Sequence, residues 1–274
     1  MRENRGSSKG KWITLSIIVI LAIGLGIYFF SGPKQVKELP PVGQEPKPEG
    51  KPEAPPEVAR PLPEVRIPLG ESDDSIRKKA LDLSAKPLWQ QWLLNTNLIR
   101  RITAAVVNIA EGKTPRKHLG FLGPHVPFTA LKKDEKLYLD PHSYGRYNLL
   151  ADVFASLDTT KTVGLFKEFN PLFQEAYREL GYPQGDFQVI LIQAMKELLK
   201  VPVVEGEVLV KEAVASYWMV DDPLEDLSDA QKHLLRMGPQ NTRKIQKKLQ
   251  EMCLLLGVPE SQLPETKVYV PKNE

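Results

Sequence analysis

Cysteine is almost missing from this chain: 274 residues contain one, Cys253. A single thiol excludes an internal disulfide, and a zinc site of paired cysteines goes with it. Met252, Leu254, Leu255 and Leu256 surround it, which predicts a buried, inert thiol. Histidine is scarce too. His118, His125, His142 and His233 stand neither in HExxH nor at i, i+4 spacing, so no helix presents a ready metal face. A Walker loop, a G-x-G-x-x-G turn and a G-x-S-x-G elbow are all missing. The 34 acidic residues are too many for any two to stand out as a glycosidase pair. No catalytic residue, metal ligand or cofactor is nominated.

Net charge of one sign is also lacking. Lys and Arg number 37 against 34 acids, and residues 1–71 hold 10 and 8 of these, leaving 27 and 26, or +1, for the remainder. So balanced a domain is not that of a dedicated nucleic-acid binder. The local exception is Arg243, Lys244, Lys247 and Lys248, opposite Ile245, Leu249, Met252 and Leu256 on one amphipathic stretch. A solvated face over a core face accounts for it, and contact with anionic lipid headgroups or another phosphate-bearing envelope polymer is the alternative.

What is present is ordered in three parts. Trp12 to Phe30 is a run of 19 uncharged residues behind Arg2, Arg5, Lys9 and Lys11. As a helix it spans roughly 28 Å, close to the ~30 Å hydrocarbon core of a bilayer. It reads as an uncleaved signal anchor with its basic end in the cytoplasm. A cleaved signal peptide is the competing reading, but the run continues through Ile27, Tyr28, Phe29 and Phe30 without a small-residue cleavage site. From 31 to 70, 11 of 40 residues are Pro, which favours an extended, unpacked arm reaching on the order of 100 Å. The expected organisation is a basic cytoplasmic terminus at 1–11, a transmembrane helix at 12–30, a Pro-rich disordered linker at 31–70, a globular domain at 71–262 and a tail at 263–274.

The globular part predicts a mostly α, α+β fold with one or two small hairpins. Ser72-Asp73-Asp74 offers cap oxygens to a helix through about Leu83, and Pro87 opens a longer one ending at Gly112. Helices are expected at about 142–157, 159–180, 185–200, 228–237 and 241–256, with stops at Gly181-Tyr182-Pro183, Val201-Pro202 and Gly238-Pro239. Residues 128–140 form a hairpin around Lys132-Lys133-Asp134-Glu135, and Glu207 to Val220 reads as a strand or hairpin.

Two segments concentrate polar and aromatic groups. In Leu139 to Asn148 (LDPHSYGRYN), Asp140 can cap the following helix, Tyr144 adds an amphipathic ring, and Arg146 offers a fork to a carboxylate or an anionic ligand. In Asp221 to Arg243, the residues Gln231, Arg236 and Asn241 are polar within a core-building helix–break–helix. Asp140, Tyr144, Arg146, Gln231, Arg236 and Asn241 are the candidate binding residues, and all of them but Gln231 are expected to lie close together. Buried caps and hydrogen bonds would use the same residue types.

These motifs also carry a resemblance. The run from Leu88 to Gly112, YLDPHSYGRYN from Tyr138, PLFQEAYRELGYP from Pro171 and DDPLEDLSDAQKHLLRMGPQN from Asp221 are similar to an uncharacterised bacterial family, domain of unknown function family 3014. The resemblance covers roughly residues 72–260. It implies an inner-membrane protein with a periplasmic domain and brings no reaction or cofactor. The expected function is a single-pass bacterial inner-membrane protein, N-terminus in the cytoplasm. It holds the bilayer through 12–30 and presents a periplasmic domain that binds or scaffolds an envelope protein or cell-wall partner. The alternative is an enzyme acting on peptidoglycan, or a regulator of one, for which a cleft gathering Asp140, Arg146, His142 or His233 around an acid would speak. An energy-coupling linker is a third option, weakened by an anchor without an ionisable residue.

Overall fold

The computed structural model describes residues 67–272 except 125, 127 and 215. The expected membrane helix at 12–30 and nearly all of the linker lie outside the described residues. No helix among the described residues is long and apolar enough to cross a membrane.

Helix α1 (Ser72–Ala80) and α2 (Pro87–Leu93) precede α3 (Leu98–Ala110). The single helix expected from Pro87 to Gly112 is thus two. Asn97 takes a left-handed conformation, φ 56°, just before α3, a region that Asn tolerates better than most residues. The break is held from α1: the Asp73 carboxylate accepts from the amides of Asn97 at 2.6 Å and Leu98 at 2.9 Å. Asp73, expected to cap its own helix, caps the next but one. Leu93, Leu98 and Ile99 are all buried by this bend.

The core is built where α3 packs on α6 (Thr159–Glu179) and α7 (Phe187–Leu199), and α10 (Pro239–Leu255) packs on both of those and on α5 (Asn148–Ala155). Asp158 caps α6 through Lys161 N at 2.9 Å, and Asp186 caps α7 through Gln188 N at 2.7 Å. Each cap satisfies amides the first helical turn leaves open. Phe173 and Phe187 stack with centroids 5.4 Å apart, and Phe169, Phe187, Ile99 and Leu199 are fully enclosed. On α10, Ile245, Leu249 and Met252 face this core as expected. So does Gln246, whose Nε2 donates to Val201 O at 2.8 Å and reaches Leu198 and Leu199 carbonyls, closing the end of α7. Cys253 is fully buried beside Met195, and burial pushes its thiol pKa up, which fits an inert role.

Two β regions expected separately join in one antiparallel sheet. Strands β1 (Ala130–Lys133) and β2 (Lys136–Leu139) form the first hairpin, β4 (Leu209–Glu212) and β5 (Tyr217–Met219) the second, in the order β1-β2-β4-β5. Leu137 pairs with Val210 and Tyr138 with Leu209 across the seam. Asp134 and Glu135 both have positive φ, 48° and 62°, the backbone of a two-residue turn whose twist suits a hairpin.

The terminal segment also differs from expectation. Instead of a free tail, β6 (Val268–Tyr269) pairs in parallel with β3 (Val203–Val204). Tyr269 Oη and Lys272 N both donate to the buried Asp221 carboxylate at 2.8 Å. The helix expected at 142–157 also changes: Pro141–Tyr147 is a 3-10 turn, and α-helical geometry starts at Asn148.

Candidate functional site

The two polar segments meet at the break before α10. Gly238 has φ 85°, and a Cβ there would lie 2.4 Å from Tyr144 Cγ, so only glycine allows the ring to sit against the backbone. Next to it the buried Asn241 Nδ2 reaches Tyr144 O at 3.1 Å, Asn148 Oδ1 at 3.0 Å and Met237 O at 2.9 Å. Burial raises the Tyr144 hydroxyl pKa, with the Asp140 charge adding to it. Asp140 caps the 3-10 turn, accepting from His142 N at 2.9 Å and Thr129 Oγ1 at 2.7 Å; the hydrogen bond from Thr129 and that from His142 N hold its pKa below the ordinary carboxylate value. Gln231 completes a capping box with Ser228 and donates to Glu197 O at 3.2 Å. Asp140, Tyr144, Gln231 and Asn241 therefore act within the fold, as caps and clamps.

Arg146 and Arg236 are placed differently, because both line a half-enclosed cleft of about 850 Å³. Its size lies within the ~300–1,000 Å³ typical of small-molecule sites. The apolar wall comes from Leu150 and Phe154 of α5, Leu198 of α7, Leu234 of α9 (Asp229–Leu235), which follows the short α8 (Asp222–Glu225), and Ile245 and Leu249 of α10. The same cleft is lined by a lip that follows α3: α4 (Arg116–Leu119) and the 3-10 turn Gly120–Leu122, contributing Pro115, Leu119, Leu122 and Pro124. Gly112, φ 74°, turns the chain into this lip, and Ala230 N ties back to Gly112 O at 3.0 Å.

The rim is cationic. The Arg146 guanidinium lies 5.3 Å from the Phe128 ring centre and 5.2 Å from that of Tyr147, with Nε on Ser143 O at 2.8 Å and Nη1 on Val126 O at 3.0 Å. Phe128 packs on Tyr217 at 5.5 Å, and Arg236 Nη2 donates to Tyr217 O at 2.8 Å. Arg116, on the lip, makes no side-chain hydrogen bond among the described residues. None of the described lining residues is a carboxylate, and among the described residues no carboxylate pairs with Arg116, Arg146 or Arg236. His233 sits in the same wall, edge-on to Tyr147 at 6.1 Å. Burial lowers its pKa to about 4, with Arg116 and Arg236 adding to the shift, so the imidazole is neutral at pH 7.

Guanidinium forks without carboxylate partners, beside an apolar wall, suit a ligand with an acid group and an apolar body. The acid that would favour the peptidoglycan-enzyme alternative is not in the described lining, and His142 and Asp140 pair with each other at 3.0 Å away from it. No group of three or more His, Cys, Asp and Glu side chains able to hold a metal occurs among the described residues. Three of the four basic residues on α10 are engaged: Arg243 with Glu205, Lys244 with Asp152, and Lys248 with Glu251 at 2.8 Å, Leu157 O at 2.9 Å and Thr159 Oγ1 at 2.8 Å.

Of the six candidate residues the cleft takes Arg146 and Arg236, and it takes His233, named from the sequence only for the enzyme alternative; Arg116, Phe128 and Tyr217 were not singled out from the sequence. The available signal was the Thr114-Pro115 and Gly123-Pro124 punctuation around a short basic and apolar loop. Residues 98–253 match the model of a family described as protein of unknown function (DUF3014). No curated protein and no solved structure matches the chain.

Proposed function

Because the chain belongs to the DUF3014 family of proteins of unknown function, whose model covers more than half of it, we propose a role from its own cleft: a non-enzymatic binding domain tethered in the bacterial envelope. The observation that carries this reading is the 850 Å³ apolar cleft edged by Arg116, Arg146 and Arg236 and free of carboxylates among its described lining residues. Such a lining is made to hold a ligand and lacks the acid–base pair of a hydrolase. The tether is supported by the uncharged run Trp12 to Phe30 behind four basic residues and by the Pro-rich arm, a pattern that favours a single-pass inner-membrane anchor with the domain in the periplasm.

Two experiments bear on it. A photoreactive amino acid in place of Leu122, introduced into the full chain in cells, is expected to capture an adduct on irradiation, and its absence would remove the cleft from function. Full-length protein incubated with peptidoglycan is expected to release no soluble fragments; release that is lost in Arg236→Gln would replace binding by catalysis. For the topology, protease added to cells with a permeabilised outer membrane should digest the domain and spare a tag placed before Met1. Loss of that tag instead would reverse the orientation.

A further inference from the structure

We propose that the cleft takes a fatty acid: one acyl chain along the α5–α7–α10 wall, with its carboxylate at the arginine rim. The inference rests on the binding role proposed above and names the ligand class. Three features of the cleft converge on it. The deep wall is aliphatic and aromatic, and Leu234, Met237, Ile245 and Leu249 at its base are buried residues of the core itself. A chain laid there leaves water for an apolar surface without needing a polar partner. With about 30 Å³ for each non-hydrogen atom, taking the share of a liquid water as a guide, 850 Å³ holds on the order of 25–30 such atoms. That is room for one acyl chain with its acid group.

Charge selects the head. Arg116, Arg146 and Arg236 come from three different segments, and no carboxylate among the described residues neutralises them. The field is felt inside the cleft, since Arg116 and Arg236 both act against protonation of His233. Arg146 has Nε and Nη1 committed to Ser143 O and Val126 O, and Arg236 has Nη2 committed to Tyr217 O. The N–H groups left over, with all of those on Arg116, can take both oxygens of a carboxylate. Arg146 lies over the Phe128 ring, Phe128 packs on Tyr217, and Arg236 donates to the Tyr217 carbonyl, so one chain of contacts joins these two arginines. The other depression of note, about 550 Å³ over the sheet, is more open and mixes Lys132, Lys136 and Lys211 with Glu135 and Glu212, which gives it no charge preference.

The test uses the full chain in phosphatidylcholine nanodiscs, irradiated with a diazirine-bearing palmitate or with the matching diazirine-bearing alcohol, and locates labels by mass spectrometry. Palmitate should label peptides containing Leu119, Leu122, Leu150 or Phe154 about tenfold more than the alcohol does, the ratio expected when a charge-assisted hydrogen bond is lost. Arg146→Gln and Arg236→Gln should remove that preference. Arg116→Gln should weaken it without affecting folding, because the Arg116 side chain is not hydrogen-bonded within the described domain. Lys247→Gln on the exposed face of α10 should leave it intact. Equal labelling by acid and alcohol would overturn the fatty-acid assignment while an adduct at position 122 in cells kept the binding role. Stronger competition by a lysophosphatidate would assign the rim to phosphate, and displacement by a peptide of residues 43–58 would assign the cleft to a protein segment; either overturns the proposal. No label in the cleft together with no adduct at 122 would sink both readings.

Discussion

At the residue scale, the polar groups of the two dense segments divide by what they touch. Asn241 is a clamp: replacing it by Ala strands the Tyr144 carbonyl and the Asn148 amide oxygen, so Asn241→Ala is expected to cost about 1–3 kcal/mol in denaturant unfolding. Gly238→Ala should cost more than about 2 kcal/mol, since its positive φ and the 2.4 Å approach to Tyr144 combine backbone strain with overpacking. Arg116→Gln, touching little, should stay within about 0.5 kcal/mol. His233 brings a pH dependence of known sign. Its pKa is about 4 in the fold against ~6.5 unfolded, so between these values the unfolded chain binds the extra proton. Stability is untouched above pH 6.5 and falls as pH drops towards 4, by roughly 3 kcal/mol in all. His233→Gln should flatten that slope relative to wild type, and equal slopes in urea melts at several pH values would place the imidazole in water.

At the element scale, β6 is the informative case. Its sequence Lys267-Val268-Tyr269-Val270 between Pro264 and Pro271 is too short to announce a strand, and its partner Val203–Val204 lies more than sixty positions earlier. What holds it is Asp221, a buried carboxylate whose acceptors are filled from this segment. Asp221→Ala should free the strand, and trypsin should then cut after Lys267 roughly tenfold faster or more, because losing hydrogen bonds to a charged acceptor raises local opening by that order. Unchanged protection would mean that the parallel pairing alone retains the strand. The split between α2 and α3 follows the same logic: composition favoured one long helix, but Asp73 reaches across from α1 and caps a second one.

At the scale of the whole molecule, the physical domain is larger than the segment matched by the family model. That match begins at 98 and ends at 253, yet Leu69, Ile76, Leu83 and Leu93 are buried in the same core, as are Leu256 and Val258. The four N-terminal side chains alone represent roughly 6–12 kcal/mol of burial, comparable to the ~5–15 kcal/mol net stability of a domain. A fragment of residues 67–274 is expected to be soluble, helical by circular dichroism and cooperative in thermal melting. A fragment of 98–253 should melt without a cooperative transition or aggregate, and an equally sharp transition in both would show that the first two helices are dispensable.

The sequence by itself determined the helical class, the placement of α6, α7 and α10, the hairpin at 130–139 and the burial of Cys253, because caps, glycine–proline stops and apolar spacing act over a few residues. It also singled out Arg146, as a fork for a carboxylate or an anionic ligand, and Arg236, as a polar group in a core-building helix–break–helix. Only the tertiary structure decided that Asp140, Tyr144, Gln231 and Asn241 serve the fold, that the two hairpins share one sheet, and that three arginines from separate segments edge one cleft. Those outcomes depend on contacts between residues tens of positions apart, which no local pattern encodes: Asn241 and Tyr144 meet only because Gly238 lets the two backbones close together.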